Sequence, residues 1–213
     1  MDRFKEEKKR LLEMTHRSYE EALFAGTSGN LSIYDKEHDI MAITPSCIPY
    51  ETMEESDIVP MHPDGELAEA SHKPSSERRM HAVIYRSKPE VCSVVHTHSP
   101  YATSFAVNQE RIPVILIEMI PFLGGDIGVA QFALPGTEEV GLEAVKALEN
   151  RNACLLANHG VLAVGATLEQ AHIRAVYAED AAKIYSLARS NGEVVQVPEK
   201  YVRMMLERKS GGK

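Results

Sequence analysis

Cysteine is scarce in this sequence, which has three among its 213 residues. Cys47, Cys92 and Cys154 are odd in number, lie far apart and form no C-x-x-C pair. A disulfide framework needs pairs of cysteines, and a cysteine zinc site needs clustered thiolates. We therefore expect neither and interpret all three as reduced thiols.

Long apolar runs and an excess of basic residues are also lacking. No stretch approaches the roughly 18 apolar residues of a membrane span, and the N-terminal residues MDRFKEEKKRLLEM lack the apolar segment of a secretory signal. The 23 Lys and Arg residues are outnumbered by 31 Asp and Glu residues and are scattered along the chain. We expect a soluble cytoplasmic protein that binds neither membranes nor nucleic acids. The net negative charge does not exclude a small anionic substrate.

Several common catalytic motifs are missing as well. The sequence has no G-x-S-x-G, G-x-G-x-x-G or H-E-x-x-H segment, which argues against the commonest hydrolase, dinucleotide-binding and zincin classes. It also has no internal repeat and no linker between domains. The length suits a single domain, residues 1–213, with a frayed tail over 209–213.

Apolar periodicity predicts a mixture of helices and short strands. The expected helices begin near Phe4, Glu77, Thr137, Thr167 and Pro198. The expected strands are 31–34, 40–44, 58–61, 91–95, 113–117, 129–134, 153–157, 161–164 and 194–197. The first two strands form a hairpin. The continuous apolar run 113–117 predicts a central strand that is buried on both faces.

The stretch from Lys73 to Ser104 contains the residues most suited to chemistry. His96 and His98 follow an apolar strand, and in extended chain residues i and i+2 point to one face. Two such imidazoles can share a divalent cation, although a polar strand end is an equally ordinary interpretation. Glu77 is either an acid for this site or a first-turn Glu favoured by the helix dipole. His81, one turn later, is either a residue that supports Glu77 from behind or, more ordinarily, a solvated helix position.

A third histidine, His159, stands in the turn Asn158 to Gly160 between two predicted strands. Three neutral imidazoles with an open position describe a catalytic metal site, but the sequence alone does not place His159 beside the others. Three further turns, 26–30, 45–47 and 74–76, are rich in Gly and Ser, and such turns can direct backbone N–H groups at a phosphate. Each alone is more often just a turn.

Five short segments carry a resemblance to a known family. GTSGNLS, ITPSCIPYE, KPSSE, VVHTHS and LLANHG occur in the order, and near the spacing, of the class II aldolase and adducin-head family. The resemblance covers about Thr15 to Ser190 and favours members that act on fuculose 1-phosphate and other ketose 1-phosphates. It implies an α/β fold, namely a three-layer α/β/α sandwich around a mixed, largely antiparallel central sheet.

The resemblance also implies roles for individual residues. His96, His98 and His159 match the family's zinc ligands, although manganese or another divalent ion is open. Glu77 matches the acid that carries the proton and contacts the metal when substrate is absent. The positions that match the family's phosphate-binding residues are Gly29, Asn30, Ser46, Cys47, Ser75 and Ser76.

The implied function is that of a metal-dependent aldolase. It would cleave a ketose 1-phosphate reversibly to dihydroxyacetone phosphate and a short aldehyde through a metal-stabilised enediolate, in a homotetramer with sites at subunit interfaces. A pentulose-5-phosphate 4-epimerase is the nearest rival, but those relatives carry Asp where Glu77 stands. A methylthioribulose-phosphate dehydratase and a non-catalytic adducin-like binding domain are further alternatives.

Three departures from the family pattern bear on specificity. Cys47 stands where the family usually has Gly, Ile117 stands where the fuculose enzymes have a tyrosine, and no tyrosine follows Tyr201. Loss of both phenols suggests a less hydroxylated aldehyde product. We therefore expect a deoxy or methylthio pentulose 1-phosphate as the substrate.

Overall fold

A seven-stranded sheet forms the centre of the part of the chain that the structure describes. The structure, a computed structural model, describes residues 4–69 and 72–211. The strands are β1 (Asn30–Asp35), β2 (Ile40–Ile43), β3 (Val59–Met61), β4 (Ser93–Thr97), β5 (Gly128–Ala130), β6 (Ala153–Leu156) and β7 (Gly160–Gly165). Their order across the sheet is β3-β2-β1-β4-β7-β6-β5. Strand β5 runs parallel to β6, and every other neighbouring pair in the described sheet is antiparallel. The predicted mixed, largely antiparallel sheet and its first hairpin are confirmed.

The described residues form seven α-helices. They are α1 (Lys5–Glu20), α2 (Arg78–Ser87), α3 (Pro100–Asn108), α4 (Met119–Leu123), α5 (Glu138–Leu148), α6 (Leu168–Asn191) and α7 (Glu199–Gly211). Helices α2 and α5 contribute to one apolar cluster, and α1, α3, α4 and α6 contribute to the other. None of the helices in the described part of the chain combines the length and the apolar character needed to span a membrane.

The central strands supply alternate residues to the two clusters. In β4, Val94 faces the α2 and α5 layer while Val95 faces the α6 layer, and both are fully buried. Leu162 and Ala163 divide in the same way on β7. Burying one such valine or leucine side chain stabilises a fold by roughly 1.5–3 kcal/mol. The α/β/α layering therefore follows from strands that are apolar on both faces.

Hydrogen bonds fix the backbone at the starts of α6 and α2. At the predicted start of α6, the Thr167 hydroxyl accepts a hydrogen bond from the Gln170 N–H at 3.2 Å, and the Gln170 side chain accepts one from the Ala166 N–H at 3.3 Å. Glu77 takes the N-cap position of α2, and its side chain makes no capping hydrogen bond to the helix. Ser75 instead accepts from the Glu77 N–H at 3.2 Å.

The predicted central strand 113–117 is wrong. Only an isolated bridge between Ile112 and Ile127 occurs nearby, and the chain then passes through a turn at Ile117 into α4. Pro113 lacks the backbone N–H that a strand would donate to its neighbour. Val114 is half-buried and packs against the apolar cluster to which α6 contributes. A short apolar run can serve such a packed segment as well as a strand.

Other differences lie toward the C-terminus. The segment 194–197 is not a strand, since its one recorded backbone bond runs from the Val197 N–H to the Val114 carbonyl at 2.9 Å and Val195 is 84% exposed. Strand β5 stops at Ala130, well before the predicted end at 134. The predicted frayed tail is helical as far as Gly211, and residues 212–213 lie outside the described residues.

Candidate active site

Three neighbouring elements bring the predicted acid and histidines together. Strand β4 carries His96 and leads directly to His98, while the turn before β7 carries His159. Because β4 pairs with β7, with Thr97 opposite Val161, these histidines meet at one edge of the sheet. Helix α2 begins beside them and supplies Glu77 from its N-cap position.

The four side chains converge on one small volume. Nε2 of His96 lies 3.0 Å from Nε2 of His98 and 3.0 Å from Oε2 of Glu77. Nε2 of His159 lies 3.2 Å from Oε1 of Glu77. One potential ligand atom from each of the four residues lies within 4.8 Å of the others. The sequence could not establish this meeting, because His159 is remote in the chain.

A close backbone approach holds His159 in place. A Cβ atom on Gly160 would lie 2.4 Å from the Thr97 carbonyl oxygen and 3.2 Å from Cε1 of His96. Glycine therefore lets β7 pair tightly with β4 beside the histidines. Asn158 takes the left-handed conformation that the turn needs, with φ of 54°, and its N–H donates to the Ala106 carbonyl at 3.0 Å.

The donor set fits a divalent cation. Nδ1 of His96 lies 2.9 Å from the Val161 carbonyl oxygen, so it carries the hydrogen and leaves the Nε2 lone pair for a metal. Oε1 of Glu77 is buried and, among the described residues, has no hydrogen bond. Its 3.2 Å approach to His159 is thus a close polar contact without hydrogen-bond geometry. Three imidazoles and a carboxylate are a common ligand set for zinc and for several other divalent metals.

Burial and mutual attraction set the charges of these groups. Burial raises the pKa of Glu77, but the charges of His96 and His159 and the hydrogen bonds from His96 and Asn30 outweigh it, so the net pKa lies well below its ordinary value. Burial lowers the pKa of His96, yet the Glu77 carboxylate raises it further. For His98 and His159, burial and then the charge of His96 lower each pKa to about 4. Both are therefore neutral near pH 7 and suited to bind a metal.

All six predicted phosphate positions line one cavity beside this cluster. The cavity has a volume of about 300 Å³. It is lined by Gly29, Asn30, Ser46, Cys47, Ser75 and Ser76 together with Glu77, His98 and His159, and also by Thr27, Ser28 and Pro135. A larger cavity of about 490 Å³ near α7 contains none of the four clustered residues. The smaller cavity is the one that the site chemistry favours.

The serine turns are joined to each other by backbone contacts. The Ser46 N–H donates to the Lys73 carbonyl at 2.9 Å, and the Ser46 hydroxyl donates to the Pro74 carbonyl at 2.9 Å. The Ser75 N–H donates to the Thr44 carbonyl at 3.1 Å. The two turns therefore form one rigid wall of the cavity. Cys47, in this wall, is exposed and has a left-handed φ of 63°, which explains why glycine suits this position.

Tyr50 supports the glycine-rich turn 26–30. The Tyr50 hydroxyl lies 2.8 Å from the Gly29 carbonyl and 3.0 Å from the Ser28 carbonyl, so it donates to this turn. The Tyr50 ring stacks on Phe24 with a centroid separation of 4.7 Å. Tyr50 lies within the ITPSCIPYE segment, but its support of a distant turn was not evident from the sequence.

His81 is not the solvated helix residue that the sequence suggested. It is fully buried, and its ring nitrogens lie 2.6 Å from Oδ1 of Asn30 and 2.6 Å from Oγ of Ser32. Nδ2 of Asn30 in turn lies 3.0 Å from Oε2 of Glu77. The spacing of Glu77, His81 and Tyr85 by four residues places them along one helix face and could have indicated this arrangement.

Comparison with known proteins identifies the family. The family model for the class II aldolase and adducin N-terminal domain matches residues 9–186. The chain belongs to this family. Its members among the curated relatives include a 5-deoxy-D-ribulose 1-phosphate aldolase from Bacillus thuringiensis serovar kurstaki, which is 37% identical over 83% of each chain.

Two further matches agree with that assignment. A 5-methylthioribulose-1-phosphate/5-deoxyribulose-1-phosphate aldolase from Rhodospirillum rubrum is 37% identical over 86% of this chain and 81% of the relative. A solved structure of an L-fuculose 1-phosphate aldolase is 40% identical, covers 96% of both chains and gives a TM-score of 0.91. The predicted family and fold are confirmed, and the chain is a class II aldolase, which is a lyase.

Proposed function

We propose that the protein cleaves a ketose 1-phosphate reversibly to dihydroxyacetone phosphate and a short aldehyde. One observation carries the proposal: the Glu77 carboxylate is buried among three histidines at the wall of a cavity that two serine turns and a glycine-rich turn also line. An acid, a candidate cation site and a phosphate site would thus serve one small substrate.

The three histidines and Glu77 have different roles in the proposed reaction. A divalent cation, held by His96, His98 and His159, would supply electrostatic stabilisation for the negative charge that develops on substrate oxygens as the carbon–carbon bond breaks. As the bond breaks, the hydroxyl that becomes the aldehyde loses a proton and the carbon left behind gains one, and Glu77 is the group that gives the proton to this carbon. In the reverse direction Glu77 removes a proton from dihydroxyacetone phosphate. Its exclusion from water lets its pKa rise toward working pH once substrate replaces its present ionic partners.

The phosphate anchors the substrate relative to Glu77. Ser75 and Ser76 precede α2, where backbone N–H groups and the helix dipole favour an anion. Ser46, Cys47, Gly29 and Asn30 would complete the phosphate site from the facing turns, with backbone N–H groups and hydroxyls as donors. Fixing the phosphate in this way holds the reacting carbon at one distance from the acid, which lowers the entropic part of the barrier.

We propose zinc as the native cation, one per subunit, with manganese as the alternative. Imidazole nitrogens favour zinc among the abundant divalent ions, whereas the carboxylate accepts either metal. Elemental analysis of protein purified without added metal tests this choice. Stoichiometric manganese with little zinc would overturn it.

For the substrate we propose a 5-deoxy or 5-methylthio pentulose 1-phosphate. The two curated relatives described above bear the names of enzymes for such substrates. Ile117 stands where the fuculose enzymes have a tyrosine, so a phenol that would bind a hydroxylated aldehyde is missing at this position. Turnover of 5-deoxyribulose 1-phosphate, 5-methylthioribulose 1-phosphate and fuculose 1-phosphate should be compared under one set of conditions. A strong preference for fuculose 1-phosphate would contradict this choice of substrate.

We also propose a homotetramer with active sites near subunit boundaries. Phe132 is 60% exposed and Leu134 is 65% exposed, and they lie three residues and one residue before Pro135 at the cavity wall. Exposed apolar side chains beside a site favour coverage by another subunit. Sedimentation analysis tests the assembly, and a monomer that retains full turnover would overturn it.

A further inference from the structure

A row of buried polar side chains runs from Glu77 into the layer between β1 and α2. Nδ2 of Asn30 lies 3.0 Å from Oε2 of Glu77, and Oδ1 of Asn30 lies 2.6 Å from Nε2 of His81. Nδ1 of His81 lies 2.6 Å from Oγ of Ser32, which lies 2.5 Å from the hydroxyl of Tyr85. All five side chains are buried. The proposed chemistry uses Glu77 at one end of this row and Asn30 at the phosphate site, but it has no role for His81, Ser32 or Tyr85.

The donors in this row can be assigned in one consistent direction. The Glu77 carboxylate only accepts, so the Asn30 amide must turn its N–H toward it and its carbonyl toward His81. His81 must then donate from Nε2. A neutral imidazole with hydrogen on Nε2 has a lone pair on Nδ1, which accepts from the Ser32 hydroxyl, and Tyr85 donates to Ser32.

We propose that His81 is a positioning residue that holds the Asn30 amide in the one orientation that donates to Glu77. The proposal rests on the proposed function, because the orientation matters to catalysis only if Glu77 moves the proton. A free amide can flip between two orientations, and one of them turns its carbonyl oxygen toward the carboxylate. Two acceptors 3.0 Å apart repel each other. His81 thereby fixes the carboxylate through Asn30 without touching substrate.

The surroundings favour a neutral His81. Burial, followed by the charge of His96, lowers the pKa of His81 to about 3. Tyr85 closes the far end of the row, where its ring stacks on Tyr34 with a centroid separation of 4.8 Å. Both nitrogens of His81 are hydrogen-bonded, so a side chain without donors at this place would leave the amide of Asn30 and the hydroxyl of Ser32 without their partner.

Two substitutions at one position separate positioning from packing. His81→Phe fills the space but removes the donor to Asn30, and it should lower kcat by about 10- to 100-fold, the usual range for a residue that orients a catalytic group. The KM and the bound metal should stay near the wild-type values. His81→Gln keeps an N–H that can reach Asn30 and should recover most of kcat. The matched control is His172→Phe, which alters another buried histidine, on α6 in the opposite layer, and should leave kcat unchanged.

A spectroscopic measurement tests the row without any turnover. In 15N nuclear magnetic resonance spectra of the wild-type protein, His81 should show the neutral form with hydrogen on Nε2 throughout the range where exposed imidazoles titrate, about pH 5.5 to 8. Hydrogen on Nδ1, or a titration in that range, would overturn the proposal. Full kcat in His81→Phe, or equal losses in both His81 variants, would also overturn it. If the wild-type protein were inactive, the proposed function would be contradicted. The spectrum would then test by itself whether His81 donates to Asn30.

Discussion

Oε1 of Glu77 lies 3.2 Å from Nε2 of His159, so a helix start and a distant strand turn place an acid and a candidate metal ligand side by side. The proposed role of Glu77 depends on its charge and not on its shape. Glu77→Gln should therefore keep the fold and the bound metal while lowering kcat by about 10²- to 10⁴-fold, the usual contribution of a general acid or base.

The measurement for Glu77→Gln is release of dihydroxyacetone phosphate, together with exchange of solvent deuterium into that product. Both should fall together because both need the same proton carrier. Glu138→Gln is a suitable control, since Glu138 lies exposed on α5 and pairs with Arg86. Turnover of Glu77→Gln equal to that of Glu138→Gln would refute the assignment.

Removal of one histidine should remove the metal. His159→Ala removes one of the three imidazole ligands, and loss of a direct ligand weakens the binding of the metal. After gel filtration in metal-free buffer, the variant should contain far less zinc than the wild-type protein at equal concentration. His38→Ala, an exposed histidine that pairs with Asp35, provides the comparison. Unchanged metal content in His159→Ala would exclude His159 as a ligand.

Acidification should destabilise the metal-free protein. The folded pKa values of His81, His98 and His159 are about 3, 4 and 4, below the unfolded value of about 6.5. As pH falls from 6.5 toward 4, the unfolded chain therefore binds more protons at these groups, and the free energy of unfolding decreases. His96 has the opposite shift, so its contribution is fully present below pH 6.5 and does not offset this loss.

Urea unfolding of chelator-treated protein at several pH values measures the effect. His159→Asn removes one of the three groups, so its free energy of unfolding should depend less steeply on pH over the same range. A wild-type stability that increased on acidification from pH 6.5 would show that these imidazoles are protonated in the folded state.

Glycine should be tolerated at position 47. Cys47 holds a left-handed φ of 63° while its side chain is exposed, so the β-carbon costs energy without gaining burial. Cys47→Gly should raise the free energy of unfolding by about 0.5–1 kcal/mol, and Cys47→Ala, which keeps the β-carbon, should not. Thermal and urea unfolding of the two variants compare them directly. A larger gain from alanine would show that the thiol, and not the backbone, is the source of the strain.

The sequence predicts the hairpin and the long helix α6 because their periodicity and turn or capping residues are local, whereas the mixed, largely antiparallel sheet is implied by the family resemblance. It fails at 113–117, where an apolar run packs on the sheet edge instead of joining the sheet, and at 194–197, where one backbone bond replaces a strand. In both places tertiary packing decides between conformations that the local pattern does not separate.

The candidate site shows the same division. His96 and His98 can be paired from their spacing, but His159 can be added only through the resemblance or the β4–β7 pairing. His81 was misjudged because one helical position can face water or a sheet, and only the packing of α2 on β1 decides which. The contact between Ser32 on β1 and His81 shows that the His81 side chain faces the sheet.

One assay tests the central claim most directly: release of dihydroxyacetone phosphate from a panel of ketose 1-phosphates, before and after chelation. The account predicts release in step with an aldehyde, loss of release in chelator and recovery on addition of a divalent cation. Release that chelation does not affect would contradict the metal-dependent mechanism. Consumption of the ketose without dihydroxyacetone phosphate would contradict the aldolase reaction itself.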